Sequence, residues 1–378
     1  MKKWFDWRNW SASIPRLIQP ASAQMRRGLL TGFLGLLALL LVGGWITLAH
    51  RAYPASPSGA AASSAVVRVA PPRRDSSLVY DPLHHIVLLF GGSLLPNGGL
   101  TNETWSWNGS SWQQQHPLTS PPALPGSMVY DAASRQVILF LQGNAGGGQV
   151  ANQMWTWDGS NWHRLQAGLM PDVLSPGLVY DAARGQVLLF GVEAPATSAP
   201  QRPQISATWT WNGSAWHRLY PLTSPAARTG AALAYDGTRQ QVVLYGGVTA
   251  QGLSSETWTW NGSAWQELST RQTPTPRQHG LLVYDSAARQ LLLFGGLDAQ
   301  GLQSVPGATW LLENTGWIRV NNAGAPTDLY ASATYDDATR TVLVYTAHGS
   351  LSKDATPDTA PPVSQTWSWN GSAWKLLS

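Results

Sequence analysis

The chain has 378 residues, 24 of them basic and 20 acidic, and no cysteine. The missing cysteines exclude a disulfide framework, a thiolate nucleophile and Cys-ligated zinc, so stability rests on burial. The net charge of +4 is segregated: seven basic residues and one acidic residue lie in the first 51, which leaves 17 against 19 beyond them and no basic stripe to track nucleic-acid phosphates.

Residues 1–27 form a basic tail with Lys2, Lys3, Arg8, Arg16, Arg26 and Arg27 against Asp6, and residues 28–49 carry no charge. At 1.5 Å rise per residue that run makes a helix of roughly 33 Å, enough to cross a bilayer core. It predicts a single transmembrane helix with a cytoplasmic N-terminus, which places the rest of the chain on the exterior side of the cell membrane. A cleaved signal peptide is the competing reading, but signal h-regions of about 7–15 residues are shorter than this run, and no good small-x-small site follows directly. Trp4, Trp7 and Trp10 suit either a short helix in the inner interface or a disordered basic tail. Residues 50–75, rich in Pro, Ala and Ser, read as an extended linker, in which 66–69 could pair as an extra strand.

From residue 76 a block of about fifty residues recurs six times, marked by Tyr-Asp at Tyr80, Tyr130, Tyr180, Tyr235, Tyr284 and Tyr335. In the fifth block Leu281-Leu282-Val283-Tyr284 and Leu291-Leu292-Leu293-Phe294 are short apolar runs bounded by Asp285 and Gly295-Gly296, the pattern of strands buried on both faces. The Asp is expected to bond its own turn amides. In the fourth block Glu256-Thr257-Trp258-Thr259-Trp260 alternates aromatic and polar residues as a third strand. Asn261-Gly262 is expected to form a type I′ turn, with Ser263 to Leu268 returning as the fourth. Each block thus predicts a four-stranded antiparallel meander whose repeated Trp residues pack blade on blade. Sequons can be written at Asn102, Asn108, Asn212, Asn261 and Asn370, but the second block keeps the turn with Asp158-Gly159-Ser160 and loses the sequon, so turn chemistry is their common cause.

A block with Tyr-Asp, an apolar strand into Gly-Gly and Trp-bearing third and fourth strands resembles the kelch repeat, the unit also found in the galactose-oxidase propeller. The likeness covers residues 72–378. Gly-Gly is present at Gly91, Gly246 and Gly295, while the second, third and sixth blocks carry Leu141-Gln142, Gly191-Val192 and Thr346-Ala347 instead. The resemblance implies an all-β fold, a closed six-bladed β-propeller over 76–378. Galactose-oxidase chemistry does not carry over, because that family builds its site with a cysteine. Some six-bladed kelch-like proteins resemble sialic-acid mutarotases, which keeps a sugar enzyme open, but no catalytic residue matches a motif here.

Strand parity sends the second connection of each blade and the link to the next blade to one end, where the longest loops, Val192 to Ala207 and Ala347 to Ser364, gather; a ligand is expected there. Seven residues before the block tyrosine stand Arg73, Arg228 and Arg277, with Asp328 in the same register and His279 close by. If the first strand is innermost, as in kelch propellers, these residues approach the channel mouth and could grip an anionic ligand. The alternative is that the arginines bond loop backbone, a frequent kelch feature. His163 and His217 fall at a variable outer position, and no metal site, catalytic motif or cofactor is indicated. The sequence therefore predicts a membrane-anchored propeller that recognises a protein or a glycan, with a carbohydrate-active enzyme or a structural envelope component as alternatives.

Overall fold

The structure is a computed structural model that describes residues 69–143, 152–193, 203–300, 308–314, 316–320, 324–326, 330–348 and 361–378. The chain divides into two compact units, 1–63 and 64–378, and every described residue belongs to the second. The tail, the expected transmembrane helix over 28–49 and most of the linker lie outside the described residues. Among those described, no helix is long and apolar enough to cross a membrane.

Six four-stranded antiparallel sheets follow one another along the chain, each in simple meander order. The first blade is Ser77–Asp81, Ile86–Phe90, Thr104–Trp107 and Trp112–Gln115. The sixth is Tyr330–Asp336, Thr341–His348, Val363–Trp369 and Trp374–Leu376. The first strands of neighbouring blades pack against one another all the way round, Ser77–Asp81 closing on Tyr330–Asp336, so the first strand is innermost. This is the predicted six-bladed β-propeller.

The apolar runs fill the space between blades. Val79, Leu88 and Phe90 of the first blade pack with Leu139, Trp157 and Trp162 of the second, as sheets buried on both faces require. The leading Trp of each fourth strand then bonds across the seam. Trp162 donates its indole N–H to Thr104 Oγ1 (2.9 Å), and Trp265 to Thr208, Trp317 to Thr257 and Trp374 to Thr309 do the same at 2.9–3.0 Å. In the third blade the acceptor is Met154 Sδ, because Met stands where the other blocks have Thr. The repeated Thr-Trp pair in the sequence is therefore a seam device: Thr accepts from the next blade, and the following Trp packs.

The Tyr-Asp marker is also explained. Asp81 Oδ1 accepts from the amides of Leu83 and His84, and Asp236 and Asp336 cap their turns likewise, the expected Asx geometry. The tyrosine lies against the turn of the preceding blade. Burial, and then the preceding blade's aspartate, push the hydroxyls of Tyr130, Tyr180 and Tyr235 up from their ordinary value.

Three local expectations change. The Asn-Gly turn is not type I′: Gly109, Gly213, Gly262 and Gly371 have φ of 93–103° but their asparagines do not have positive φ. Trp260 pairs directly with Trp265 across a four-residue loop, in which Asn261 Oδ1 accepts from the Ser263 and Ala264 amides. The fourth strand accordingly starts at Trp265, not Ser263. Secondly, Gly-Gly is a strand terminator. With φ of 64–71° and then 92–96°, it ends the second strands Ile86–Phe90, Gln241–Tyr245 and Gln290–Phe294 at five residues. Where it is absent the strand continues, to six residues in Gln136–Leu141 and eight in Gln186–Glu193 and Thr341–His348. The loops expected from Val192 and from Ala347 are shortened accordingly. Thirdly, Arg73–Arg74 of the expected linker pairs with Ser93–Leu94, while the possible strand at 66–69 falls almost wholly outside the described residues.

Candidate functional site

At the end where the long connections leave, a cavity of about 620 Å³ opens over the ring axis and takes lining residues from all six blades. Its width comes from small residues four positions before each block tyrosine: Ser76, Gly126, Pro176, Ala231, Gly280 and Ala331 all line it. A deeper space of about 230 Å³ continues between the innermost strands, where Leu78, Met128, Leu233 and Leu282 narrow it. The mouth is wide and mixed in polarity, and the channel below exposes more polar than apolar surface, with Ser77, Ser127 and Ser332 among its lining residues.

One position further out, Asp75, Ser175 and His279 have φ of 55°, 50° and 53°, and Gly230 in the same register has 64°. Left-handed backbone is uncommon for L-residues and concentrates at ligand clamps and switches. Three of these residues are tied into an arc: the His279 amide donates to Gly230 O (2.7 Å), and the Gly230 amide donates to Ser175 Oγ (3.1 Å). The imidazole lies over Gly230, where a Cβ would come within 3.2 Å of Nε2, so glycine is required for both conformation and space. Further bonds join the blades around the mouth, with Ser127 Oγ donating to Pro176 O (3.1 Å) and the Ser332 hydroxyl to Ser76 O (2.6 Å).

The charge at the mouth is small. Arg74 and Asp75, both partly exposed, face each other at 3.7 Å, and His279 is the remaining titratable group of the lining. Among the described residues no carboxylate pairs with His279, and no group of three or more His, Cys, Asp or Glu could hold a metal ion.

Of the described residues predicted to meet a ligand, only His279 stands at the mouth. Arg73, Arg228 and Arg277 are each 1% exposed, and their guanidinium groups are bound inside the loops. Arg228 donates to Ala226 O (3.0 Å), Gly246 O (3.0 Å), Ser254 Oγ (3.2 Å) and Glu256 (2.5 Å). Arg73 repeats this with Pro71 O, Gly91 O and Glu103. The correction has a plain cause: Gly-Gly turns its first carbonyl inward, and the arginine satisfies it, so the loop-backbone alternative describes these three side chains. Burial would raise Glu256, but the Trp258 indole, Arg228 and Ser254 outweigh it and hold its carboxyl below the ordinary value. In the fifth blade Ala308 stands where the first and fourth have glutamate, so Arg277 turns to Thr275 Oγ1 (2.9 Å), and burial lowers its pKa. Asp328 lies outside the described residues.

The sequence contained the signal for this. Arg and Gly-Gly occur in the same three blocks, the first, fourth and fifth, as a donor and acceptor that depend on each other should. Asp75, Ser175, Gly230 and Gln142 were missed as mouth residues; the five-before-tyrosine register locates the first three.

No family model matches the chain, and no curated protein matches it either. Among solved structures, one titled "Structure of YjhT" is similar to this chain with a TM-score of 0.58 and 11% sequence identity, covering 83% of this chain and 99% of that one. At that identity the likeness establishes the propeller fold alone.

Proposed function

We propose that this protein is a membrane-anchored recognition module that holds its propeller outside the cell and takes an uncharged polar part of a protein or glycan at the channel mouth. The observation that carries the reading is the cavity of about 620 Å³ to which all six blades contribute, of the size and placement in which propellers and other closed scaffolds hold ligands. Its near neutrality argues against the anionic ligand expected from the arginines, since their charge is neutralised or satisfied below the surface. Anchoring and orientation rest on the uncharged run 28–49 and the basic residues before it. The reading is of a binder, with a carbohydrate-active enzyme as the alternative.

Two measurements on the full chain test this reading. Protease added to intact cells should digest the propeller and spare an N-terminal tag; protection of the propeller would overturn the orientation. Screening the chain in lipid nanodiscs against neutral glycans, peptidoglycan fragments and envelope proteins should find a saturable ligand. Turnover of any of these without stable binding would favour the carbohydrate-active enzyme instead.

A further inference from the structure

The end of the ring with tight turns carries a second device. In the first, third and fourth blades the residue three places after the block aspartate reaches the third-to-fourth turn of the next blade. His84 bonds Asp81 (2.7 Å) and lies over Gly159. Arg184 holds Asp181 through two bonds of 3.0 and 2.9 Å, covers Gly262 and donates to the Asn261 carbonyl. Arg239 holds Asp236 and donates to Glu313 O (2.6 Å). These three seams are filled by a long side chain.

The seam that closes the ring is not, and neither is that between the second and third blades, where Ser134 bonds back to Asp131 and a Cβ on Gly213 would meet nothing within 4 Å. In the sixth blade the corresponding residue is Thr339, whose hydroxyl bonds back to Asp336 (2.9 Å) and lies 2.9 Å from Thr341 Oγ1. Facing it, a Cβ on Gly109 would meet nothing within 4 Å. The space left is about 250 Å³, walled by Trp107, Leu343 and Leu377 on the apolar side and by Ser368, Asn370 and Lys375 on the polar side. Lys375 is exposed and sits across from Ser368 in the strand register. It is the only lysine among the described residues and forms no ion pair with them. The Trp107 indole N–H is buried without an acceptor, as are those of Trp157, Trp260 and Trp369 in the same register of other blades, so Trp107 contributes an apolar wall. Of the two acids of this turn, Asp336 has its oxygens engaged by the Ala338 and Thr339 amides and the Thr339 hydroxyl, and Asp337 receives the Ser286 hydroxyl (3.5 Å).

We propose that this pocket between the last and first blades is a binding site for a small carboxylate with a short apolar body. The Lys375 cation suits the carboxylate, and Trp107, Leu343 and Leu377 suit the apolar part. A ligand seated there touches both ends of the ring, so it also stabilises the closed propeller by mass action. This site is independent of the channel mouth and of the reading given for it.

The test uses the full chain in nanodiscs, titrated with butyrate and, as an uncharged mimic of the same shape, butyramide, and followed by saturation-transfer NMR. Butyrate should bind saturably and butyramide about tenfold more weakly or worse, the loss expected for one charge-assisted contact at a partly exposed site. Lys375→Gln should remove that difference, and because Lys375 is exposed this variant folds. Thr339→Arg should abolish butyrate binding without lowering the unfolding midpoint, since an arginine there can hold Asp336 as Arg184 holds Asp181. Equal binding of the two probes, non-saturable butyrate signal, or unchanged butyrate binding in a folded Thr339→Arg chain would overturn the proposal.

Discussion

Trp112 of the first blade donates its indole N–H to Thr366 Oγ1 of the sixth at 2.8 Å, in the same register as the indole bonds at the internal seams. The ring therefore closes without exchanging a strand, by the same contact that joins consecutive blades. Around it, Tyr345 donates to Pro71 O (2.6 Å) and Ser364 Oγ to Ala70 O (2.5 Å), which ties the residues leading into the first blade to the last one. Thr366→Val would keep the shape and leave a fully buried indole N–H without an acceptor. The expected cost is about 1–3 kcal/mol, read as a lower midpoint in chemical denaturation; an unchanged midpoint would show that closure does not depend on this bond.

Arg228→Gln should be far more damaging than an exposed substitution. It strips donors from Gly246 O and Ala226 O in a loop whose arginine side chain is 0% exposed. Leaving the buried Gly246 carbonyl without its donor costs about 1–3 kcal/mol, measurable by equilibrium unfolding. A shift within about 0.5 kcal/mol, the range of surface changes, would mean that the loop is held by other contacts.

Ala288→Ser should stabilise the fold. Asp285 Oδ2 is buried with no partner, whereas the equivalent aspartate of the second blade receives the Ser134 hydroxyl at 2.8 Å. Supplying that hydroxyl should add about 1 kcal/mol, visible as a raised thermal midpoint. A lowered midpoint would show that the contact of Ala288 with the Gly371 turn leaves no room for the oxygen.

Acidification should weaken the fourth blade through Glu256. Its folded-state pKa lies below the 4.5 of the free carboxyl, so the folded state binds fewer protons than the unfolded state in that region. The stability this confers is fully present above about pH 5 and is lost as pH falls through 4.5 and then through the lowered folded value. Glu256→Gln should therefore lower the midpoint at neutral pH, and the gap to the unaltered chain should narrow below about pH 4. A gap that stays constant from pH 7 to pH 3 would contradict the linkage.

The repeat made the architecture legible because propeller blades depend on contacts that recur in every block. Tyr-Asp, Thr-Trp and the apolar second strand each serve a neighbour in the ring, so periodicity alone recovers blade number and strand order. The site was less legible because it is built where the repeat varies. Asp75, Ser175, Gly230 and His279 share a backbone conformation but no residue type, and conformation is invisible in a residue pattern. The arginines misled for the opposite reason: a recurring charge near the expected mouth invited a ligand, while its recurrence alongside Gly-Gly reflected a carbonyl to be satisfied. The type I′ expectation failed at Asn261 because its side chain, by capping two amides, makes a four-residue loop more favourable than the tighter turn.

The most direct test of the channel mouth as the recognition site is ligand binding by the Gln142→Trp chain. Gln142 is a half-buried lining residue of the mouth, and an indole there would occupy the cavity while leaving the inter-blade seams untouched. Binding of the glycan, peptidoglycan or envelope-protein ligand found with the unaltered chain should be lost, with unfolding stability within about 0.5 kcal/mol of the original. Undiminished binding at undiminished stability would place recognition elsewhere on the propeller and contradict the account.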